Sequence, residues 1–454
     1  MVAVGVLIST MDSSMINVAL PSMMRSFSTS LAVSQLIVLI YLSVITITLV
    51  LWGHLSDSYG RGKIYLFGVL TFAVASVGSS IAASFPQLVV MRCVQGVGAA
   101  MMMSSGPAII KMAFPLEQLG RGLGLVGLAT SCGLMSGPVI SGLLIRYFSW
   151  RGIFLVTLPL SLSVYIVGHF YLGLDKDEKS LPVKRTYDWV GFVLWGVAIL
   201  LFILLISFYE IMEAKLIILC AISLISVVWL FCRYERQVRQ PLLPYGLFQR
   251  RYFATASITA ALSFAVLFMV ILLIPFYLDY ILQLPADRIG LVMLTLPSSL
   301  VIVSPASGWI YDHIGARLPT TLGLGISCLA VLTMMGLHDK TSIAAIVASL
   351  SVLGAGQALF LSPNSASILA KVEERYVGVA SGILATARNL GMLIGVGLSG
   401  TVFSFVFSLL SGGRNLHGFQ ASDVPEFLLA LHWTFFLAVV LSLSGCLLSA
   451  FRDS

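Results

Sequence analysis

The chain has 454 residues; hydrophobic residues make up 58% of it, and Asp, Glu, Lys and Arg together only 10%. A soluble domain carries about 25% charged residues, so this chain lacks the polar surface needed to cover a water-soluble particle. The composition excludes a soluble enzyme, a disordered chain and a coiled coil, and it predicts that lipid surrounds most of the chain.

The charged and metal-binding residue types exclude further classes. The net charge is +7, but the basic residues lie in short loops between apolar runs, which indicates membrane orientation rather than binding to nucleic acid. The cysteines and histidines are scattered, without the spacing of a metal site. No phosphate-binding GxxxxGK[ST] motif occurs, so ATP-driven transport is unsupported, and we expect no metal and no cofactor.

Fourteen apolar runs are long enough to cross a membrane, since a spanning helix needs about 20 residues. They do not alternate apolar and polar residues as the strands of a membrane barrel do, so we predict helices. In chain order the predicted helices cover residues 1–21, 34–56, 64–84, 87–113, 119–146, 151–173, 187–208, 214–232, 253–282, 287–311, 317–337, 342–369, 376–410 and 427–450.

Basic residues are distributed unevenly between the loops. Of the 26 Lys and Arg residues, 17 lie in loops after even-numbered helices or at the C-terminus, and 7 lie in loops after odd-numbered helices. Because basic residues favour the cytoplasmic side, we expect both termini in the cytoplasm, in a multi-pass protein of the cytoplasmic or inner membrane.

The two longest loops after even-numbered helices are 174–186 and 233–252. They bracket the seventh and eighth helices, which look inserted between two halves. The second loop carries basic and aromatic residues typical of a segment on the cytoplasmic membrane surface. We therefore predict an N-terminal six-helix bundle at 1–173, a linker with two additional transmembrane helices at 174–252, and a C-terminal six-helix bundle at 253–454.

An internal repeat supports this division. The same order of Gly, Asp, Gly and Arg occurs at the ends of the second and tenth helices, and a weaker pair of GxG segments occurs in the fourth and twelfth. Parallel internal repeats are a mark of secondary transporters, whose substrate site lies at the interface between the halves. The residues of the stronger repeat are Gly53, Asp57, Gly60 and Arg61, and Gly308, Asp312, Gly315 and Arg317.

Seven further segments carry a family resemblance through their order and spacing: MDSSMINVALP (11–21), GHLSDSYGRGK (53–63), RCVQGVGAA (92–100), GLMSGPVISG (133–142), SWRGIFLVTLP (149–159), PLLPYGLF (241–248) and RNLGMLIGVGLSG (388–400). Over nearly the whole chain they resemble the major facilitator superfamily, and within it the fourteen-helix drug:proton antiporter branch. One departure is Val156-Thr157, where the branch frequently has Asn-Val-Pro.

The resemblance implies an all-α membrane fold of two six-helix bundles, related by a pseudo-twofold repeat, with two inserted central helices. It also implies proton-coupled export by alternating access, with multidrug efflux and antibiotic resistance as the role. We expect the protein to work as a monomer.

Asp12 lies near the middle of the first predicted helix, where a charged side chain costs at least about 2.5–3.5 kcal/mol. Burial favours the protonated form of a carboxyl group, so Asp12 is the leading candidate for proton coupling. The alternative is a structural carboxylate that is hydrogen-bonded to neighbouring Ser or Asn groups, of which Ser13 and Ser14 are adjacent. Arg92, near the outer end of the fourth helix, is a candidate partner for a carboxylate, and the resemblance ties it to proton transfer. The alternative is an arginine that reaches the outer headgroups.

The repeated loop motif is interpreted as a gate, since alternating access needs a contact between moving bundles. Asp57 is placed to meet Arg61 or a helix N-terminus, in a contact that breaks when the cytoplasmic side opens. Ordinary helix capping combined with topology charges is the alternative.

Gly133, Gly137, Pro138 and Gly142 fall on or near one face of the fifth helix. Small residues let helices approach closely, and proline can bend a helix. The resemblance implies an antiporter hinge here; simple helix packing is the alternative.

Asp279 is either a second cation or proton site or, as we prefer, an interfacial acid within a tyrosine belt. Methionine and aromatic side chains can repack around varied apolar ligands, although each also suits ordinary packing. The candidate residues of a substrate cavity are Asn17, Tyr41, Met102, Phe264, Phe276, Asp279, Phe360 and Asn364.

The leading hypothesis is a proton-coupled exporter of amphipathic, cationic or zwitterionic small molecules, with protons and the lipid bilayer as its other partners. Two alternatives are open. One is a dedicated carrier of a single endogenous metabolite or lipid. The other is a membrane sensor that does not transport, since a fold does not dictate a function.

Overall fold

The computed structural model describes residues 1–113, 119–171, 188–209, 212–238, 249–371 and 377–452. Fourteen helices in this part of the chain are long and apolar enough to cross a membrane. Each matches one predicted run in the same order, so the predicted all-α membrane architecture is confirmed. The helices are α1 (Val2–Phe27), α2 (Leu36–Tyr59), α3 (Arg61–Ser80), α4 (Phe85–Ala113), α5 (Leu119–Tyr147), α6 (Thr157–Tyr171), α7 (Trp189–Ser207), α8 (Ala214–Glu235), α9 (Arg251–Tyr280), α10 (Ala286–Ile314), α11 (Arg317–Met334), α12 (Ile343–Lys371), α13 (Val377–Leu410) and α14 (Val424–Ala450).

The first helix is longer than predicted. It continues for six residues beyond Pro21, because Met23 and Met24 are fully buried and hold the next turn in place. It ends where Ser28 takes a positive φ of 53°. Arg25 therefore lies in the last helical turn and not in the following loop.

The chain divides into two compact units. The described parts of α7 and α8 contribute to both. The predicted linker at 174–252 stays a prediction, because residues 174–187 and 239–248, including the PLLPYGLF segment, lie outside the described part of the chain. Unit 1 comprises residues 1–23, 36–203 and 220–242, and unit 2 comprises residues 24–35, 204–219 and 243–454.

The same helix pairs occur within each unit. In unit 1, α4 packs against α2 and α3, and α6 packs against α3; in unit 2, α12 packs against α10 and α11, and α14 packs against α11. Each pair in the second set follows its counterpart by eight helices. The predicted six-helix repeat with two inserted helices is therefore confirmed by the packing.

Glycines of the repeated GxG segments lie at equivalent crossings. A Cβ atom on Gly98 would lie 2.7 Å from the carbonyl oxygen of Gly68, and one on Gly356 would lie 2.7 Å from that of Gly323. Both crossings need a hydrogen at this position, because the backbones approach too closely for a methyl group. The two halves of the repeat therefore correspond down to individual contacts between glycines.

The turns of the repeated loop motif also match. Gly60, which precedes α3, has a φ of 97°, and Gly315, which ends α10, has a φ of 77°. Only glycine takes this backbone conformation without steric cost. The second glycine of each motif copy is therefore required by the turn itself.

Candidate functional site

A buried ion pair lies within unit 1. Arg92 Nη1 of α4 is 2.7 Å from Asp12 Oδ2 of α1, and each side chain is 1% exposed. The Nε–H of Arg92 donates to the carbonyl oxygen of Ile37 at 3.2 Å. The guanidinium carbon of Arg92 also lies 4.1 Å from the centre of the Tyr41 ring, a cation–π distance.

Hydrogen bonds extend this pair to two further helices. Gln95 Nε2 donates to Asp12 Oδ1 and to Ser76 Oγ, both at 3.0 Å. Thr157 Oγ1 of α6 donates to Ser76 Oγ at 3.3 Å, and Gln95 Oε1 accepts from Arg92 Nη1 at 2.7 Å. Both carboxylate oxygens of Asp12 therefore accept from protein donors. We name the six side chains the Asp12 network: Asp12, Tyr41, Ser76, Arg92, Gln95 and Thr157.

The neighbouring serines do not supply the partners of Asp12. Ser14 Oγ donates to the carbonyl oxygens of Met11 at 3.0 Å and Gly133 at 3.3 Å. Arg92 is buried, and its guanidinium binds Asp12, Gln95 and the carbonyl oxygen of Ile37. The partners of Asp12 come from α4: Arg92 lies 80 positions and Gln95 83 positions further along the chain.

Sequence reasoning missed Gln95, Ser76 and Thr157. Gln95 carried a signal, since it stands three residues after Arg92 and hence on the same helix face. Ser76 and Thr157 carried none, because a hydroxyl in an apolar helix usually bonds to its own backbone. Both also do so here, to Phe72 O and Phe154 O.

The glycines predicted as a hinge lie against the helix that carries Asp12. A Cβ atom on Gly133 would lie 2.8 Å from Leu7 O, and one on Gly137 would lie 3.0 Å from Met11 O. Close packing of α5 on α1 is therefore part of the role of these glycines.

The rest of the predicted hinge lies within a continuous helix. Pro138 is inside α5, which runs through it without a break, and Gly142 is buried. Ser141, beside Gly142, donates its hydroxyl to Met15 O at 2.9 Å. These contacts fix α5 on α1 over about two turns. A hinge motion at Pro138 stays a prediction.

The predicted gate residues run from the end of α2 to the start of α3, and from the end of α10 to the start of α11. Gly53 faces Ser104, and Gly308 faces Ser362, in equivalent positions of the two repeats. Asp312 is exposed. The side chain of Asp57 lies outside the described part of the chain, so its contact with Arg61 stays a prediction.

Arg317 of the second motif copy holds the end of the last helix. Its Nε–H donates to the carbonyl oxygen of Ala450 at 2.9 Å. The last carbonyls of a helix lack partners within the helix, so this bond caps α14. Thr320 and Ser449 join the same two helices through their hydroxyls at 2.9 Å.

Asp279 is ion-paired with Arg25 within unit 2. The Arg25 guanidinium lies 5.7 Å from the centre of the Tyr280 ring, and Phe276 stacks on Tyr280 with ring centres 6.2 Å apart. Asp279 is thus an acid among aromatic side chains at the end of α9, joined to the end of α1.

Most candidate cavity residues are packed in the interior of their unit. Phe264 retains partial exposure. Asn17 is buried, with its Nδ2 bonded to Ser13 O at 3.0 Å and its Oδ1 without a partner. The side chains exposed by 2% or less are Tyr41, Met102, Phe276, Phe360 and Asn364.

Asn364 has a structural role in unit 2. Its Nδ2 donates to Ala256 O at 3.1 Å, and its Oδ1 accepts from Arg452 Nη1 at 2.7 Å. Arg452 also donates to Ser367. Burial lowers the pKa of the Arg452 guanidinium to about 10, so the side chain remains protonated at neutral pH.

The fourteen spanning helices and the repeat offset by eight helices define the fold of a transporter. The sequence matches the Major Facilitator Superfamily over residues 2–396 and 256–454, and the chain belongs to that superfamily. Within the described residues, no group of three His, Cys, Asp or Glu side chains is placed to hold a metal ion.

Relatives of known name are transporters and efflux proteins. The riboflavin transporter RibZ of Clostridioides difficile is 27% identical over 453 residues, which is 99% of this chain and 96% of that protein. The multidrug resistance protein Stp of Mycobacterium tuberculosis is 29% identical over 408 residues, 88% of this chain and 74% of Stp. The drug efflux pump JefA of the same species is 26% identical over 432 residues, 93% of this chain and 82% of JefA.

A solved structure shares the fold. It is a bacterial homolog of the human lysosomal transporter Spinster, in an inward-facing and occupied conformation, with a TM-score of 0.67 and 17% identity. The alignment covers 99% of this chain and 95% of that one. At this identity the likeness is one of fold.

Proposed function

We propose that this chain is a proton-coupled exporter of amphipathic compounds, in which Asp12 carries the proton. The observation that carries the proposal is the Asp12–Arg92 ion pair, at 2.7 Å and withdrawn from solvent in the interior of unit 1. The relatives named for multidrug resistance and drug efflux support export of varied amphipathic compounds.

The chemistry of the pair supports a proton switch. Removing two charges from water is costly, and the attraction between them has to offset that cost. When Asp12 binds a proton, the attraction to Arg92 is lost, while Arg92 keeps its bonds to Gln95 and Ile37. Protonation therefore weakens the attachment of α1 to α4 without removing the other contacts of α4.

Thermodynamic linkage connects the protonation of Asp12 to the conformation of the protein. If the arrangement of α1 depends on the protonation of Asp12, then a substrate that prefers one arrangement changes the proton affinity of Asp12, and the reverse. The membrane potential contributes about 2.3 kcal/mol per charge per 100 mV to such a cycle. We further propose that the protein lies in the cytoplasmic membrane with both termini in the cytoplasm. It works as a monomer.

Proton-driven uptake into inverted membrane vesicles tests the role of Asp12. The readout is proton flux on addition of a chemically diverse panel that includes ethidium and riboflavin. We expect Asp12→Asn to lower the substrate-dependent proton flux by about ten-fold or more, since the carboxyl that binds the proton is gone.

The matched control is Asp339→Asn, the same chemical change at an exposed residue between α11 and α12. This variant should transport like the wild type. Equal membrane insertion of both variants, measured by immunoblot, is required for the comparison. Wild-type proton flux in Asp12→Asn would remove Asp12 from the mechanism.

A dedicated carrier of one metabolite is the second candidate. The riboflavin transporter, which aligns over 99% of this chain, favours it. Competition separates the two candidates: a broad exporter is inhibited by many members of the panel, whereas a dedicated carrier is inhibited by one chemical type.

A further inference from the structure

Arg388 is a charged side chain inside the apolar span of α13. It lies eight residues beyond Ala380, where that span begins, and hence about 12 Å along the helix. Its Nη2 donates to Ser365 Oγ of α12 at 2.6 Å. Its guanidinium carbon lies 5.8 Å from the centre of the Phe264 ring of α9, and its Nε–H is buried without a partner.

Arg388 differs from Arg92 and Arg25 in its partners. Arg92 is paired with Asp12, and Arg25 is paired with Asp279. Among the described residues no carboxylate pairs with Arg388. A neutral hydroxyl does not offset the cost of a cation at this depth. Within the described part of the chain, no opposite charge therefore balances the positive charge of Arg388.

We propose that Arg388 binds the anionic group of the transported compound, with the compound's apolar or aromatic part against Phe264. A guanidinium has five N–H donors in a fixed fork, which match carboxylate, phosphate and sulfonate groups. Arg388, Ser365 and Phe264 each retain partial exposure, so a ligand reaches them without unpacking the unit.

The inference rests on the proposed function and narrows it. It predicts a substrate that is an amphipathic anion or a zwitterion, and it argues against a simple organic cation as the preferred substrate. The anion is supplied either by a free organic compound or by a lipid headgroup, since both present the same chemistry.

Equilibrium binding to the purified full-length protein tests the inference without a proton gradient. The probes are pyrenebutyrate, pyrenebutanol and pyrenemethylammonium, which share one ring system and differ in charge. Fluorescence anisotropy gives their affinities. For the wild type we expect pyrenebutyrate to bind about ten-fold more tightly than pyrenebutanol, because charge-assisted hydrogen bonds are stronger than neutral ones.

Arg388→Gln should remove this preference, and Arg388→Lys should keep part of it, since lysine retains the charge and loses the fork. Lys340→Gln is the matched control: it removes a cation from an exposed position and should leave all three affinities unchanged. Phe264→Leu should weaken binding of all three pyrene probes alike.

Two results would overturn the inference. One is a wild-type protein that binds pyrenebutyrate no better than pyrenebutanol, which needs no variant to be observed. The other is an unchanged preference in a folded Arg388→Gln protein. Displacement of pyrenebutyrate by lysophosphatidylglycerol supports a lipid headgroup as the occupant, and failure of that displacement supports a free organic anion.

The outcome is separable from that of the proposed function. Anion binding that depends on Arg388, without substrate-dependent proton flux in vesicles, would support this inference and contradict proton coupling. Proton-coupled transport of ethidium that is unchanged in Arg388→Gln, together with no anion preference, would contradict this inference and leave the proposed function intact.

Discussion

Asp12 and Arg92 show how two charged side chains are accommodated together in the interior of the protein. Each is 1% exposed, and the two form an ion pair at 2.7 Å. Gln95 Nε2 donates a hydrogen bond to the other carboxylate oxygen of Asp12. The three central members are all paired, so removing Asp12, Arg92 or Gln95 leaves an unpaired group in a medium of low dielectric constant.

The stability of single and double variants tests this interdependence. Asp12→Asn and Arg92→Gln each leave part of the pair unmatched, and breaking a buried pair by removing one partner costs about 3–5 kcal/mol. The double variant Asp12→Asn/Arg92→Gln leaves no isolated charge. We expect it to cost less than the sum of the two single changes, as measured by unfolding in detergent. Strictly additive costs would show that the two side chains do not interact.

At this scale the sequence identified the participants and missed their arrangement. Asp12 and Arg92 were identifiable because charges are rare inside apolar runs. Their pairing was left as one possibility among several, since it depends on how α1 and α4 are rotated about their axes. Phe360 and Asn364 show the same limit: their residue types fit a substrate cavity, and their positions are in the interior of unit 2.

Helix α1 is held on two sides within unit 1. Arg92 and Gln95 of α4 bind its carboxylate, and Gly133 and Gly137 of α5 contact its backbone. The carboxylate contact depends on protonation, whereas the glycine contact depends on shape alone.

Adding a methyl group to the glycine contact should separate α1 from α5. In Gly133→Ala the new carbon meets the backbone oxygen of Leu7 at 2.8 Å, which no side-chain rotation relieves. We expect a lower unfolding temperature and loss of transport. Gly382→Ala is the control, since nothing lies within 4 Å of its added carbon. If both variants behave alike, the close contact of α5 on α1 is not required.

The two repeats share their packing and differ in charge. Alignment of Gly98 with Gly356 places buried Leu350 at the position of Arg92. Unit 2 has a neutral pair instead, in which Ser263 Oγ donates to Gln357 Oε1 at 2.8 Å. The position of Arg92 in unit 1 therefore corresponds to an uncharged residue in unit 2, whose ion pair between Arg25 and Asp279 lies at the helix ends instead. This asymmetry suits a protein in which one repeat binds the proton.

Labelling with a membrane-impermeant maleimide tests the orientation of the whole chain. In a cysteine-free background, Lys340→Cys should react in intact cells, because it follows the odd-numbered helix α11. Lys63→Cys, at the start of α3, should react only after the membrane is opened. Both positions are exposed in the structure. The reverse pattern would place both termini outside.

The sequence by itself determined the number and order of the membrane helices, the repeat and the superfamily. These depend on local composition: a run of about 20 apolar residues spans a bilayer wherever it occurs, and a glycine at positive φ marks a turn by its own geometry. The tertiary structure decided which side chains meet. The partners of Asp12, Arg92 and Gln95, lie 80 and 83 positions along the chain from it. Arg388 bonds to Ser365, and among the described residues no carboxylate pairs with it. Helix rotation and crossing bring together residues that no spacing along the chain connects.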